Sequence, residues 1–73
     1  MDIKEIMQDV NALIHNYDAG IGIEYVSKDE NGLHMQVLIF NLDKFLGLSE
    51  IAKIINRALK PYKLKLVSLK LKK

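Results

Sequence analysis

The stretch Ile21-Gly22-Ile23-Glu24-Tyr25-Val26-Ser27-Lys28-Asp29-Glu30-Asn31-Gly32-Leu33-His34-Met35-Gln36-Val37-Leu38-Ile39-Phe40 decides the fold. From Ile21 to Ser27 apolar and polar residues alternate, with Ile21, Ile23 and Tyr25 on one face, which is the period of a strand. Asp29-Glu30-Asn31-Gly32 then predicts a turn, because Asn and Gly tolerate positive φ. The return strand is expected from Leu33 to about Phe40. Leu33, Met35, Val37 and Ile39 face one way, and Leu38 and Phe40 the other. A strand apolar on both faces is usually central or covered on both sides.

Upstream of this hairpin, Ile3, Ile6, Met7, Val10, Leu13, Ile14 and Tyr17 recur at three- and four-residue steps. That spacing predicts an amphipathic helix over residues 3–17. Lys4, Gln8, Asn11 and His15 fall on its opposite stripe. Asp2 is placed to cap the first turn, with Glu5 three residues on, and Asp18-Ala19-Gly20 stops the helix. Downstream, Asn41 to Gly47 reads as a short helical turn or an apolar loop. Ser49 is expected to cap a second helix, 49–60, whose buried stripe is Ile51, Ile54, Ile55, Ala58 and Leu59. Pro61 ends it, since the residue before a proline leaves the helical region. A last strand is expected from Tyr62 to Leu71. Its apolar pattern switches faces at Val67-Ser68: a bulge there would restore one apolar face, and otherwise both faces are covered, as by a second copy of the chain.

The order is αββ(α)αβ. A helical crossover makes the second and third strands parallel. The expectation is a single two-layer α+β domain over residues 1–73, a three-stranded mixed sheet with helices on one face. A chain of 73 residues buries a modest core, so its apolar residues must pack densely or be covered by a partner. There is no cysteine, which removes disulfides, thiol nucleophiles and Cys-based zinc sites. Met1-Asp2-Ile3-Lys4-Glu5 lacks the order of a signal peptide, and Val37 to Phe40 is the longest apolar run. These features lead us to expect a soluble cytoplasmic protein that does not enter membranes.

Net charge is +2, but it is unevenly spread. Residues 1–50 hold nine acids and three lysines, whereas residues 51–73 hold seven lysines, Arg57 and no acid. Lysine dominance points to general electrostatics rather than bidentate recognition. Lys53, Arg57 and Lys60 fall at i, i+4 and i+7 and so share one stripe of the second helix. Lys63 and Lys65 adjoin it. These five residues are the candidate nucleic-acid surface. Aromatics for base stacking are few, and most occupy core-facing positions.

Catalysis needs groups that converge, and the sequence shows no such set. His15 and His34 each lack a ligand-spaced partner and read as solvated residues. Ser27, Ser49 and Ser68 have no visible base. Glu24 stands out as an acid in mid-strand and reads as a solvated or cross-strand ion-paired residue. No nucleophile elbow, phosphate-binding glycine loop or His-Glu-x-x-His motif occurs. We expect no enzyme activity, no catalytic or metal-binding residues, no cofactor and no small-molecule substrate.

The element order, together with Leu42 to Leu59 and above all Ile51-Ala52-Lys53-Ile54-Ile55 after a glycine-containing bend, resembles a type II KH domain. The likeness is to the small free-standing bacterial KH proteins, and in topology it covers nearly the whole chain. It implies nucleic-acid binding at a G-x-x-G loop, where phosphates approach amides at a helix N-terminus. The corresponding tetrad here is Leu46-Gly47-Leu48-Ser49. It has one glycine, bulky neighbours and an acid, Glu50, in the first helical turn.

Three functional readings follow. The first is an interaction or regulatory module that binds a protein partner and forms a homodimer through its sheet. It assigns Ile21, Ile23, Tyr25, Leu38 and Phe40 to one sheet face and Val26, Met35, Val37 and Ile39 to the other. Helices bury one set, and a second copy covers the rest. The second is a KH-like RNA or DNA binder using Lys53, Arg57, Lys60, Lys63 and Lys65. The third is a small phage or mobile-element accessory protein that inhibits a host factor.

Overall fold

The computed structural model describes residues 2–41 and 46–72. Helix α1 spans Ile3–Tyr17, strand β1 Ile21–Asp29, strand β2 Gly32–Ile39, helix α2 Leu48–Leu59 and strand β3 Leu66–Leu71. The sheet order is β1-β2-β3, with β1 and β2 antiparallel and β2 and β3 parallel. This is the expected α+β domain with a three-stranded mixed sheet and helices packed on it. The short helical turn expected between Asn41 and Gly47 falls largely on residues 42–45, outside the described residues.

Helix α1 has the predicted bounds. The Asp2 carboxylate accepts from the Lys4 N–H at 3.0 Å, which satisfies one of the orphan donors at the helix start. Helix α2 departs from expectation at its first turn. Its N-cap is Gly47, at φ 86°, with no side-chain cap, and Ser49 already lies inside the helix. Gly47 takes the N-cap position with a positive φ that favours glycine, which leaves Ser49 too far into the helix to cap it. Lys60–Tyr62 forms a 3-10 turn around Pro61, and Lys63 is left-handed at φ 58°. That turn consumes the residues expected to begin the last strand, so β3 starts at Leu66 instead of Tyr62.

Two bulges set the faces of the sheet. Val26 has no partner between Tyr25↔Met35 and Ser27↔His34. Val67 has none between Leu33↔Leu66 and His34↔Ser68, which is where the sequence places a bulge. The second one returns Leu69 and Leu71 to the same side as Leu66.

Directly opposed residues of paired strands share a face. Ile21 therefore joins Ile39, Ile23 joins Val37, and Tyr25 joins Met35, all beneath the helices. The core consists of Ile6, Val10, Ile14, Ile21, Ile23, Leu33, Met35, Val37, Ile51, Ile54, Ile55 and Leu59. This corrects the expected interface. Ile21 and Ile23 are core residues, 0% and 5% exposed, and Tyr25 packs against them on the helix side. Leu38 and Phe40 lie on the opposite face, where Phe40 is 71% exposed and its ring covers Gly22. The five residues do not form one surface. The expected split failed because it put Ile21, Ile23 and Tyr25 with Leu38 and Phe40, against the rule that opposed partners share a face.

Candidate functional site

The uncovered face of the sheet is mainly polar. Gln36 Nε2 donates to Glu24 Oε1, and the Lys72 ammonium lies 3.6 Å from the same carboxylate. Glu24 thus has the cross-strand partners expected of it. Leu38, Phe40, Val26 and Val67 interrupt this face singly or at its margins. The surplus of apolar residues that a second copy was expected to cover is mostly in the core.

Next to this network is a cluster that the sequence reading missed. His34 Nε2 lies 2.7 Å from Asp29 Oδ2, and His34 Nδ1 lies 2.7 Å from Ser68 Oγ. With Asp29 ionised, Nε2 carries the proton and donates. Nδ1 of the neutral ring then accepts the Ser68 hydroxyl proton. The hydrogen bond from His34, with those from the Asn31 and Gly32 amides, holds the Asp29 carboxyl below its ordinary range. The order Asp-His-Ser is the one that polarises a serine hydroxyl. Beside it is a shallow dent of about 190 Å³ lined by Val26, Ser27, Gln36, Ser68 and Lys70.

An acyl-transfer site also needs two amides free to bind an oxyanion. Lys72 N–H donates to Val37 O at 2.9 Å. Backbone direction alternates along a strand, so the amides of Lys70 and Ser68 also turn to β2. Neither is free to serve Ser68 Oγ. The cluster joins the hairpin turn to β2 and β3 across the Val67 bulge. The signal for it was available, because the bulge inferred at Val67-Ser68 places Ser68 on the His34 face.

The five basic candidates occupy two places. Lys53 and Arg57 lie on the exposed side of α2, and Lys60 follows in the 3-10 turn. The Lys53 ammonium is 3.8 Å from Glu50, and Arg57 Nη1 donates to the Tyr17 hydroxyl at 2.8 Å. Lys63 and Lys65 instead line a groove of about 280 Å³ with Lys28, Asp29, Glu30 and Leu64, beside the hairpin turn. Among the described residues, Lys60, Lys63, Lys65 and Lys70 have no acidic partner.

Tyr62 is tied down by donating its hydroxyl to Asp9, and the bond to this carboxylate pushes the phenol up to about 12. In the tetrad Leu46 to Ser49, a Cβ built on Gly47 would meet nothing within 4 Å. Leu46 and Leu48 are both partly exposed beside it.

Two further residues carry structural roles. Asp18 is 8% exposed, and its Oδ1 accepts the Gly20 amide at 2.8 Å. Asn11 reaches across from α1 to β1. Its Nδ2 donates to Ile23 O at 2.9 Å, and Ile23 N–H donates to its Oδ1 at 2.8 Å. The helical periodicity assigned Asn11 to the outer stripe, whereas the structure half-buries it.

No group of His, Asp and Glu among the described residues is arranged to hold a metal ion. No described helix is long and apolar enough to cross a membrane. The chain matches no known protein family, no curated protein and no solved structure.

Proposed function

We propose that this domain is a non-catalytic interaction module whose binding surface is the basic half of the molecule, built from α2, the turn after it and β3, and whose partner is a protein with a negatively charged contact surface. The observation that carries this reading is the set Lys60, Lys63, Lys65 and Lys70, four ammonium groups without acidic partners among the described residues. Unpaired charge of one sign raises encounter rates with an opposite surface and discriminates against like-charged ones. The Asp29–His34–Ser68 cluster is read as a clasp that ties the hairpin turn to β2 and β3 through two side-chain hydrogen bonds.

Native purification from the source cells tests the reading, once with the natural chain and once with Lys60→Glu, Lys63→Glu and Lys65→Glu combined. A protein retained in fixed ratio by the natural chain and lost from the variant supports it. A chain that emerges alone in both cases, or with nucleic acid, contradicts it.

A second reading, KH-like nucleic-acid binding, has one observation in its favour. Among the described residues nothing lies within 4 Å of a Cβ built on Gly47 and no side chain caps the N-terminus of α2, where a phosphate can approach backbone amides. It expects short RNA or DNA to perturb the amides of Leu48 to Glu50 and to release them as salt rises.

A further inference from the structure

The two edges of the sheet are unequally finished. At β1, the carboxamide of Asn11 occupies the outward N–H and C=O of Ile23 as another strand would. At β3, the Asn56 side chain accepts the Leu66 amide at 2.9 Å, and among the described residues none pairs with the edge beyond that point. Lys72, Lys70 and Ser68 direct their backbone groups to β2, in register with Gln36↔Lys70 and His34↔Ser68. The N–H and C=O of Leu69 and Leu71 therefore point off the sheet. An open edge of this kind is a template for one more strand.

The side chains along that edge specify what the strand must be. Leu69 and Leu71 lie on the helix side, in register with Met35 and Val37, and Leu71 is 42% exposed. Ser68, Lys70 and Lys72 lie on the open face. An incoming residue that exchanges hydrogen bonds with Leu69 shares its face, so that residue must be aliphatic. Its neighbours meet Lys70 and Lys72 and must be acidic. A second copy of β3 brings its own lysines to the same edge and is disfavoured by like charge.

We infer that the free edge of β3 binds an extended peptide segment in which aliphatic and acidic residues alternate, added to the sheet as a fourth strand. This rests on the reading of the basic half as a protein-binding surface and names the segment recognised there. The lysines give the polarity of the partner, and the backbone groups of Leu69 and Leu71 give the strand geometry.

The test titrates isotope-labelled protein with an eight-residue peptide alternating valine and glutamate, blocked at both ends. Shift changes and slowed exchange at the Leu69 and Leu71 amides are expected. They should vanish with the same peptide N-methylated at its valine amides, and with lysine in place of glutamate. Lys70→Glu combined with Lys72→Glu should weaken binding about tenfold, since two cross-strand attractions become repulsions. Both side chains are exposed, and because Lys72 also pairs with Glu24, Lys70→Glu alone, which keeps that ion pair, is the second variant and should weaken binding about threefold.

Peptide binding that perturbs Lys53, Lys60 and Lys63 but spares Leu69 and Leu71 overturns the edge inference and leaves the basic-surface reading standing. A salt-sensitive response of Leu69 and Leu71 to single-stranded RNA, with none to the peptide, overturns it in favour of nucleic acid. No binding of either probe at low salt overturns the inference and the reading together. A dimeric mass with Leu69 and Leu71 protected in the free protein overturns the inference alone.

Discussion

The strands β1 and β3 are both edges of one three-stranded sheet, yet they solve the edge problem by different physics. β1 is blocked at its centre by geometry, because the Asn11 side chain supplies one donor and one acceptor to Ile23. β3 is guarded by charge, because Lys70 and Lys72 flank backbone groups that no described residue occupies. A geometric closure excludes every strand. A charged guard excludes only strands that carry the same sign. The difference is one of kind: a side chain fills strand positions at Ile23, whereas at Leu69 and Leu71 only the flanking charge discriminates.

The largest effect on this comparison should come from the seat of β3. A Cβ on Gly32 would lie 2.4 Å from Lys65 O, and Gly32 has φ 142°. Gly32→Ala must push the start of β3 off the hairpin, costing about 3 kcal/mol in urea unfolding. Next comes the closed edge. Asn11→Ala leaves the outward groups of Ile23 without their partner and should cost about 2 kcal/mol. It should also make the protein associate as its concentration rises, which analytical ultracentrifugation detects. Ser68→Ala removes one hydrogen bond to His34 and should cost about 1 kcal/mol.

Two ionisations sharpen the picture from either end of the pH scale. Asp29 has a folded pKa held below its ordinary value by His34. Its contribution is present above pH 3.8 and is lost as pH falls through the folded value. Acid unfolding midpoints should therefore shift in Asp29→Asn, which removes that dependence. Tyr62 has a folded pKa raised to about 12 from 10.0 by Asp9. Its contribution is present below pH 10.0 and is lost as pH rises toward 12. Ultraviolet titration should show a late tyrosine that Tyr62→Phe abolishes. The smallest effect on stability belongs to the open edge itself. Lys70→Glu should change unfolding by less than about 0.5 kcal/mol, since exposed charges contribute little.

Much of this architecture was legible because short-range rules govern it. Ile3 to Tyr17 carries its period and its cap, and Asp29 to Gly32 carries its turn. The switch of apolar residues at Val67-Ser68 announces the bulge that the structure contains. Contacts between distant segments were less legible. Asn11 looked solvent-facing because periodicity along one helix says nothing about a strand packed beside it. His34 looked isolated because its partners Asp29 and Ser68 are 5 and 34 residues away in the chain. Ser49 looked like a cap because its side chain suits one, but the helix starts at Leu48 with Gly47 at the cap position. The basic candidates were visible as charges, and their division between the α2 stripe and the hairpin groove depended on the turn at Lys60–Tyr62.

The most direct test is amide hydrogen exchange in the free protein, comparing Ile23 with Leu69 and Leu71. The unequal edges predict that Ile23 exchanges slowly, held by Asn11, while Leu69 and Leu71 exchange much faster than Lys70 between them. Equal protection of Ile23, Leu69 and Leu71 in a monomer would contradict an open edge at β3, and with it the strand-addition surface.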